Sequence, residues 1–177
     1  MENNMKIRFL LFMVAISISS INAEIVNTIA RDTVPIPKLV VPDVDGSFTL
    51  HAADGAAIGP NIKYMPEWMA YGWFTSEDRV EWDVDVQLDA TYEVFLEWSV
   101  SDEGAGNLYK LEAETGSLLG HVRRSGSWYT FRLMSIGELK LEKGQQKIVL
   151  KGVNDTIKEG LFDLRALRFL PIIPYED

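Results

Sequence analysis

Side-chain chemistry needs nucleophiles, bases or metal ligands, and this chain offers few of them. It has two histidines, His51 and His121, no cysteine, and 26 aspartates and glutamates among 177 residues. No His-x-x-x-His or Glu-x-x-His spacing supplies a metal-binding helix face, and no serine stands in a nucleophile-elbow string. Glu81, Asp83 and Asp85 alternate with Val80, Trp82, Val84 and Val86, which puts the carboxylates together on the outward face of a strand. Solvation is the ordinary reason for such a row, and no carboxyl pair stands out as a glycosidase acid and base. What remains is aromatic. Trp73 and Phe74 directly precede that strand, and Trp128 follows the turn Ser125-Gly126-Ser127. Exposed loop aromatics of this kind suit an aromatic binding platform, and a glycan outside the cytoplasm is the expected class of ligand.

The elements that must hold these residues follow from period-two patterning. Val80, Trp82, Val84 and Val86, then Tyr92, Val94, Leu96, Trp98 and Val100, define the buried faces of two successive strands. Further strands are expected near 48–53, 57–64, 107–114, 118–123, 128–135, 138–141, 145–152 and 161–171, separated by Gly, Ser, Asn and Asp turns. Trp82 and Trp98 fall on inward phases and belong to the core. Trp128 opens a strand whose Tyr129, Phe131 and Leu133 share the opposite face, a phase that exposes it. No segment after Ala23 keeps a helical apolar period for three turns, and about ten short strands with five tryptophans to bury require two packed sheets. The expected fold is all-β, a jelly-roll β-sandwich of two antiparallel sheets.

Residues 1–23 have the form of a secretory signal, with Lys6 and Arg8 before the apolar run Phe9–Ile16 and small residues leading to Ala23. The expected organisation is a signal peptide at 1–23, an extended Pro-containing segment at 24–46, a sandwich at 47–172 and a tail at 173–177. A secreted or periplasmic location follows from that reading, as does a protein not embedded in a membrane. The formal net charge of −9 disfavours phosphate backbones, so nucleic acid is not an expected partner. Asp43-Val44-Asp45-Gly46 has part of a calcium-loop pattern without the remaining ligand spacing, and it reads as a turn; no metal and no cofactor is expected.

The strings LHAADGAAIGPNIKY, GWFTSEDRVEWDVDV, TYEVFLEWS, GSWYTF, IGELKLEKG and LFDLRALRFLP occur in this order over residues 47–172. Together they resemble the jelly-roll carbohydrate-binding modules of families six and thirty-five. They look closer still to the galactose-binding-like C-terminal sandwich domains of bacterial α-L-fucosidases and sulfatases. The resemblance implies sugar stacking on loop-edge aromatics, which map to Trp73 (Phe74 in the alternative register) and Trp128, with a polar partner on the last strand at Asp163. It also implies an oligosaccharide or polysaccharide ligand and a partner glycosidase or sulfatase. Where those modules carry acidic calcium ligands in their first strand, this chain has His51 and Ala53, which removes the implied metal.

Three readings stay open on sequence: a non-catalytic carbohydrate-binding protein, a structural or protein-interaction sandwich without a sugar site, and a small lyase or hydrolase. The last would draw on His121, Arg123 and Tyr129, the residue types that jelly-roll polysaccharide lyases gather on a concave sheet.

Overall fold

Residues 34–153 and 155–173 are described by the computed structural model. The expected signal segment, the first ten residues of the 24–46 segment and the tail from 174 lie outside the described residues.

The strands, in chain order, are β1 (Phe48–His51), β2 (Ala56–Ile58), β3 (Lys63–Met65), β4 (Ala70–Gly72), β5 (Arg79–Val86), β6 (Ala90–Ser99), β7 (Leu108–Ala113), β8 (Gly116–His121), β9 (Arg132–Leu141), β10 (Gly144–Gly152) and β11 (Asp163–Pro171). A single 3₁₀ turn, Ala52–Asp54, follows β1. One antiparallel sheet runs β3–β4–β11–β6–β9, and β1 pairs with the remaining length of β11. The other runs β2–β5–β10–β7–β8. Every residue that alternation placed inward on β5 and β6 is buried, and so is Val100 just beyond β6. This is the two-sheet sandwich that the patterning requires.

Between the sheets, Trp82 and Trp98 are both buried. Each indole N–H must find an acceptor there, because an unpaired buried donor costs about 1–3 kcal/mol. Trp82, on one sheet, donates to the carbonyl of His51 in β1 on the other at 2.8 Å; Trp98, on the second sheet, donates back to the carbonyl of Arg123, just past β8, at 2.9 Å. The outward carboxylates are not merely solvated. Arg79 and Lys147 bind Glu81, Lys147 also reaches Asp83 at 3.0 Å, and Lys110 and Lys151 bracket Glu112. The hydrogen bond from Arg79 is the main reason that the Glu81 carboxyl sits below its usual range. Val40 joins the same sheet through a parallel bridge to Val84, donating to Asp83 and accepting from Asp85, both at 2.9 Å.

Three expected strands differ. The segment 57–64 is cut at Gly59-Pro60 into β2 and β3, which belong to different sheets; proline lacks the N–H that a continuous ladder would use. The expected strands 128–135 and 138–141 become one strand, β9, because Gly137 at φ 131° is absorbed as a bulge opposite Val94 rather than ending the strand. Trp128 therefore lies in the turn before β9, and the phase argued for it from strand alternation does not apply. β4 has only three residues, Ala-Tyr-Gly, and carries no alternation from which it could be read.

Trp82→Ala and Trp98→Ala should each cost about 3–5 kcal/mol, since they remove both a buried indole and a cross-sheet hydrogen bond. Urea unfolding of the two variants measures this; a loss below 1.5 kcal/mol (about the lower end for core truncation) in either would show that its space is refilled.

Candidate functional site

Four loops meet at one end of the sandwich, and polar groups tie them together. Asp78, 1% exposed, accepts from the backbone N–H groups of Asn61 (3.0 Å), Ile62 (3.2 Å) and Thr75 (2.7 Å) and from the Thr75 hydroxyl (2.7 Å). It joins the 59–62 loop to the 73–78 loop. Burial pushes the Asp78 carboxyl upward, but these four donors together outweigh it and hold the group below its ordinary range. Leu161 N–H donates to Phe74 O at 3.1 Å, and the Asn107 amide reaches the carbonyls of Lys158 and Gly160, which fixes the 158–161 loop beside them. The fourth loop hangs on two serines. Buried Ser125 accepts from Val100 N–H at 2.8 Å, and Ser99 donates to Trp128 O at 2.8 Å.

Trp73, Trp128 and Asp163 line a single cleft in this end, together with Met65 and Glu159. Trp73 is 57% exposed with its backbone at φ 57°. A left-handed conformation in so bulky a residue is strained by about 1–3 kcal/mol and persists only where the surroundings dictate it. Glu159, across the cleft, has φ 55° and accepts from Ser101 at 3.0 Å. Lys63 Nζ stands 5.8 Å from the Trp73 ring centre, in an adjoining hollow shared with Asn61 and Thr75. Trp128 is half-buried, with part of its ring packed on the core. Phe74 is fully buried against Phe162, so of the two registers only Trp73 presents a ring to solvent.

Asp163 opens β11, and its carboxylate has no hydrogen bond or ion pair among the described residues. Burial alone raises it to about 6. The opposing position on β4 is Gly72, where a Cβ would lie 2.6 Å from Asp163 Oδ1 and 2.9 Å from Met65 Cε. The glycine leaves the room that the carboxylate occupies. Glu159 and Met65 were missed from sequence; the glycine at 160, next to a polar loop, was the available signal for the first, and nothing marks the second.

The lyase constellation does not assemble. His121 and Arg123 line a different cleft, whereas Tyr129 is exposed 5.7 Å from the Trp68 ring, in a cluster with Phe131 and Arg165. Trp68 thus serves that cluster on the sheet face. At the Asp43–Gly46 turn, the Asp45 carboxylate accepts from the N–H and hydroxyl of Ser47, which lower its pKa and close the turn. No group of three or more potential metal-ligating side chains occurs among the described residues.

No family model matches the sequence, and no curated protein matches it. Solved structures do share the fold. A family 35 carbohydrate-binding module from Clostridium thermocellum is 11% identical with a TM-score of 0.58, covering 71% of this chain and 98% of the module. The exo-beta-1,3-galactanase of Phanerochaete chrysosporium, solved with galactose, is 18% identical with a TM-score of 0.56 over 72% of this chain. The mosquito-larvicidal Cry4Aa toxin from Bacillus thuringiensis is 11% identical with a TM-score of 0.59 over 78% of it. This chain spans 30% of the galactanase and 25% of the toxin. These likenesses define the fold: an antiparallel jelly-roll β-sandwich, shared by a carbohydrate-binding module, a part of a galactanase and a part of an insecticidal toxin.

Two titrations follow, with opposite signs. Asp163 has a raised folded pKa, so the fold favours its neutral form, and its contribution to stability falls as pH climbs from about 4 through about 6. Asp163→Asn should therefore stabilise the protein more at pH 7.5 than at pH 4. Asp78 has a depressed folded pKa, so its contribution is present at neutral pH and lost in acid. Asp78→Asn should cost about 2–3 kcal/mol at pH 7 and progressively less in strong acid, as the wild-type group takes up its own proton. Urea midpoints at these pH values test both signs.

Proposed function

We propose that this is an exported, non-catalytic carbohydrate-binding protein that stacks a sugar ring on Trp73 and Trp128 and fixes its hydroxyls with Asp163. The observation that carries the reading is the cleft itself. Two indoles and an unpartnered, half-buried carboxylate converge on one hollow, and the more exposed indole is held in a strained backbone conformation by anchored loops. An unpaired carboxylate beside aromatic surface is what a hydroxylated ring with an apolar face requires. The fold neighbours support the reading through the family 35 module and the galactose-bound galactanase. Export rests on the form of residues 1–23. The proposed partner is a glycosidase or sulfatase, on the likeness of the ordered strings to the sandwich domains of α-L-fucosidases and sulfatases.

Contact with one or two indoles buries little area, so dissociation constants of about 10 μM to 1 mM are expected for neutral oligosaccharides. A glycan array followed by calorimetry on the hits measures them. Trp73→Ala should abolish binding at a stability cost under about 1.5 kcal/mol, as befits an exposed ring. Trp128→Ala should also abolish it, at a larger cost because part of its ring lies on the core. Binding should strengthen as pH rises through about 6, since an ionised Asp163 is the better acceptor. Silence across a broad glycan set would favour a sandwich with no sugar site.

A further inference from the structure

The loop-end cleft has a volume of about 290 Å³, and the charge along its walls is of one sign. Asp163 and Glu159 line it with Met65, Trp73 and Trp128, and no lysine, arginine or histidine does so among the described residues. The two acids come from different elements. Asp163 opens β11, and Glu159 belongs to the 158–161 loop that Asn107 anchors. Ionised, both are acceptors only, so the side-chain donors in the lining are the indole N–H groups of Trp73 and Trp128. Acids alone would be ordinary solvated surface. Here they meet two indole rings in a concave site, where Asp163 is partly shut off from water.

The bases nearby are turned to other work. Arg165 donates to Glu97 at 2.9 Å and to Trp68 O at 3.1 Å on the sheet face, and Arg132 donates to Ser125 O at 2.9 Å. Glu159 is bonded to a neutral donor, the Ser101 hydroxyl. Lys63 stands in the adjoining hollow with Asn61 and Thr75, its ammonium 5.8 Å from the Trp73 ring centre. That distance is within cation–π reach, so the Trp73 ring already accepts one ammonium. A ligand hydroxyl would give Asp163 a hydrogen bond but leave its charge uncompensated in a half-enclosed site. An ammonium supplies donors without acceptors, a charge opposite to both acids and an attraction to the indole faces.

Resting on the carbohydrate reading of this cleft, we infer that its ligand is an amino sugar with a free amine, a glucosamine-type unit in an oligosaccharide. Its ammonium is held by Asp163 and Glu159 while the apolar face of its ring lies on Trp73 and Trp128. An N-acetylated unit lacks the charge, and a uronate sets a like charge against both acids. The charged groups facing Asp163 are Glu159 across the cleft and Lys63 beyond Trp73. The flanking strands bring Gly72 and Ser99 beside it, and neither titrates.

The probes are β-1,4-linked trimers that differ at C2: glucosamine (ammonium), glucose (hydroxyl) and N-acetylglucosamine (acetamide), with trigalacturonate and lysine amide as comparisons. A galacto-configured amine and hydroxyl pair repeats the comparison for the epimeric ring. Calorimetry near pH 7 in low salt should show the glucosamine trimer binding at least about tenfold tighter than either neutral trimer, a margin that shrinks as salt is added. Trigalacturonate and lysine amide should not saturate. Affinity for the amine should rise through about pH 6 as Asp163 ionises and fall above about pH 8 as the amine loses its proton, whereas the glucose trimer has no upper limb. Asp163→Asn should bring the glucosamine trimer to within about twofold of the glucose trimer, and Glu159→Gln should weaken it about twofold to fivefold. Lys63→Ala should strengthen the amine about twofold, where an acidic ligand would instead lose affinity. Equal affinity for amine and hydroxyl trimers, a preference untouched by Asp163→Asn, or tighter binding of trigalacturonate would each overturn the assignment. Trp73-dependent binding of neutral glycans with no gain from the amine would leave the carbohydrate reading standing and sink the amino sugar; silence from every glycan, charged or neutral, would sink both.

Discussion

Two indoles, one from each sheet, donate hydrogen bonds to backbone carbonyls carried by the other, and the sandwich is organised around that exchange. Trp82 reaches His51 in β1, and Trp98 reaches Arg123 beyond β8. Apolar burial alone sets a distance between sheets but allows them to slide, because dispersion is not directional. A hydrogen bond from a rigid ring fixes position as well as spacing. The Trp98 bond also fixes the backbone of Arg123, whose side chain is exposed, so one core contact positions a surface residue.

At the loop end, the same requirement that buried polar atoms be satisfied builds the site. Asp78, Asn107 and Ser125 are buried polar side chains in loop regions, and each spends at least one hydrogen bond on the backbone of a segment distant in sequence. Such anchors let Trp73 and Glu159 keep left-handed backbones that free loops would relax. Asp163 is the contrast. It is a half-buried carboxylate with no partner, and its ionisation is made costly by the enclosure that gives the cleft its shape.

Alternation disclosed the buried faces of β5 and β6, and with them the class of fold, because period two survives wherever one face packs and the other faces water. It did not disclose β4, whose three residues carry no period. It misplaced Trp128, because the turn before β9 holds an aromatic run that imitates a strand. Trp73 and Asp163 were legible as a loop aromatic and a polar residue on the last strand, and the fold brings them to one cleft. Asp78 and Asn107 resembled ordinary turn residues, since the partners that tie them to other loops lie 16 and 17, and 51 and 53, positions away along the chain.

The sharing of β11 has a kinetic consequence. This strand pairs with β6 along one edge and with both β4 and β1 along the other, so two early strands of their sheet have no long partner until β11 is present. More than 110 positions separate β1 from that partner (Phe48 pairs with Phe169). Closing so long a loop is entropically slow, and contacts between distant segments govern the folding rate of β-sandwiches. On a ribosome, the chain can form the hairpin of β7 and β8 while later residues are still being added. It cannot complete β1 on its sheet, or the acceptor that β1 offers Trp82, before β11 emerges. The molecule is thus built to fold late and all at once, with its apolar strands uncovered during synthesis, a state in which chaperone contact matters more than for a fold assembled from neighbouring hairpins.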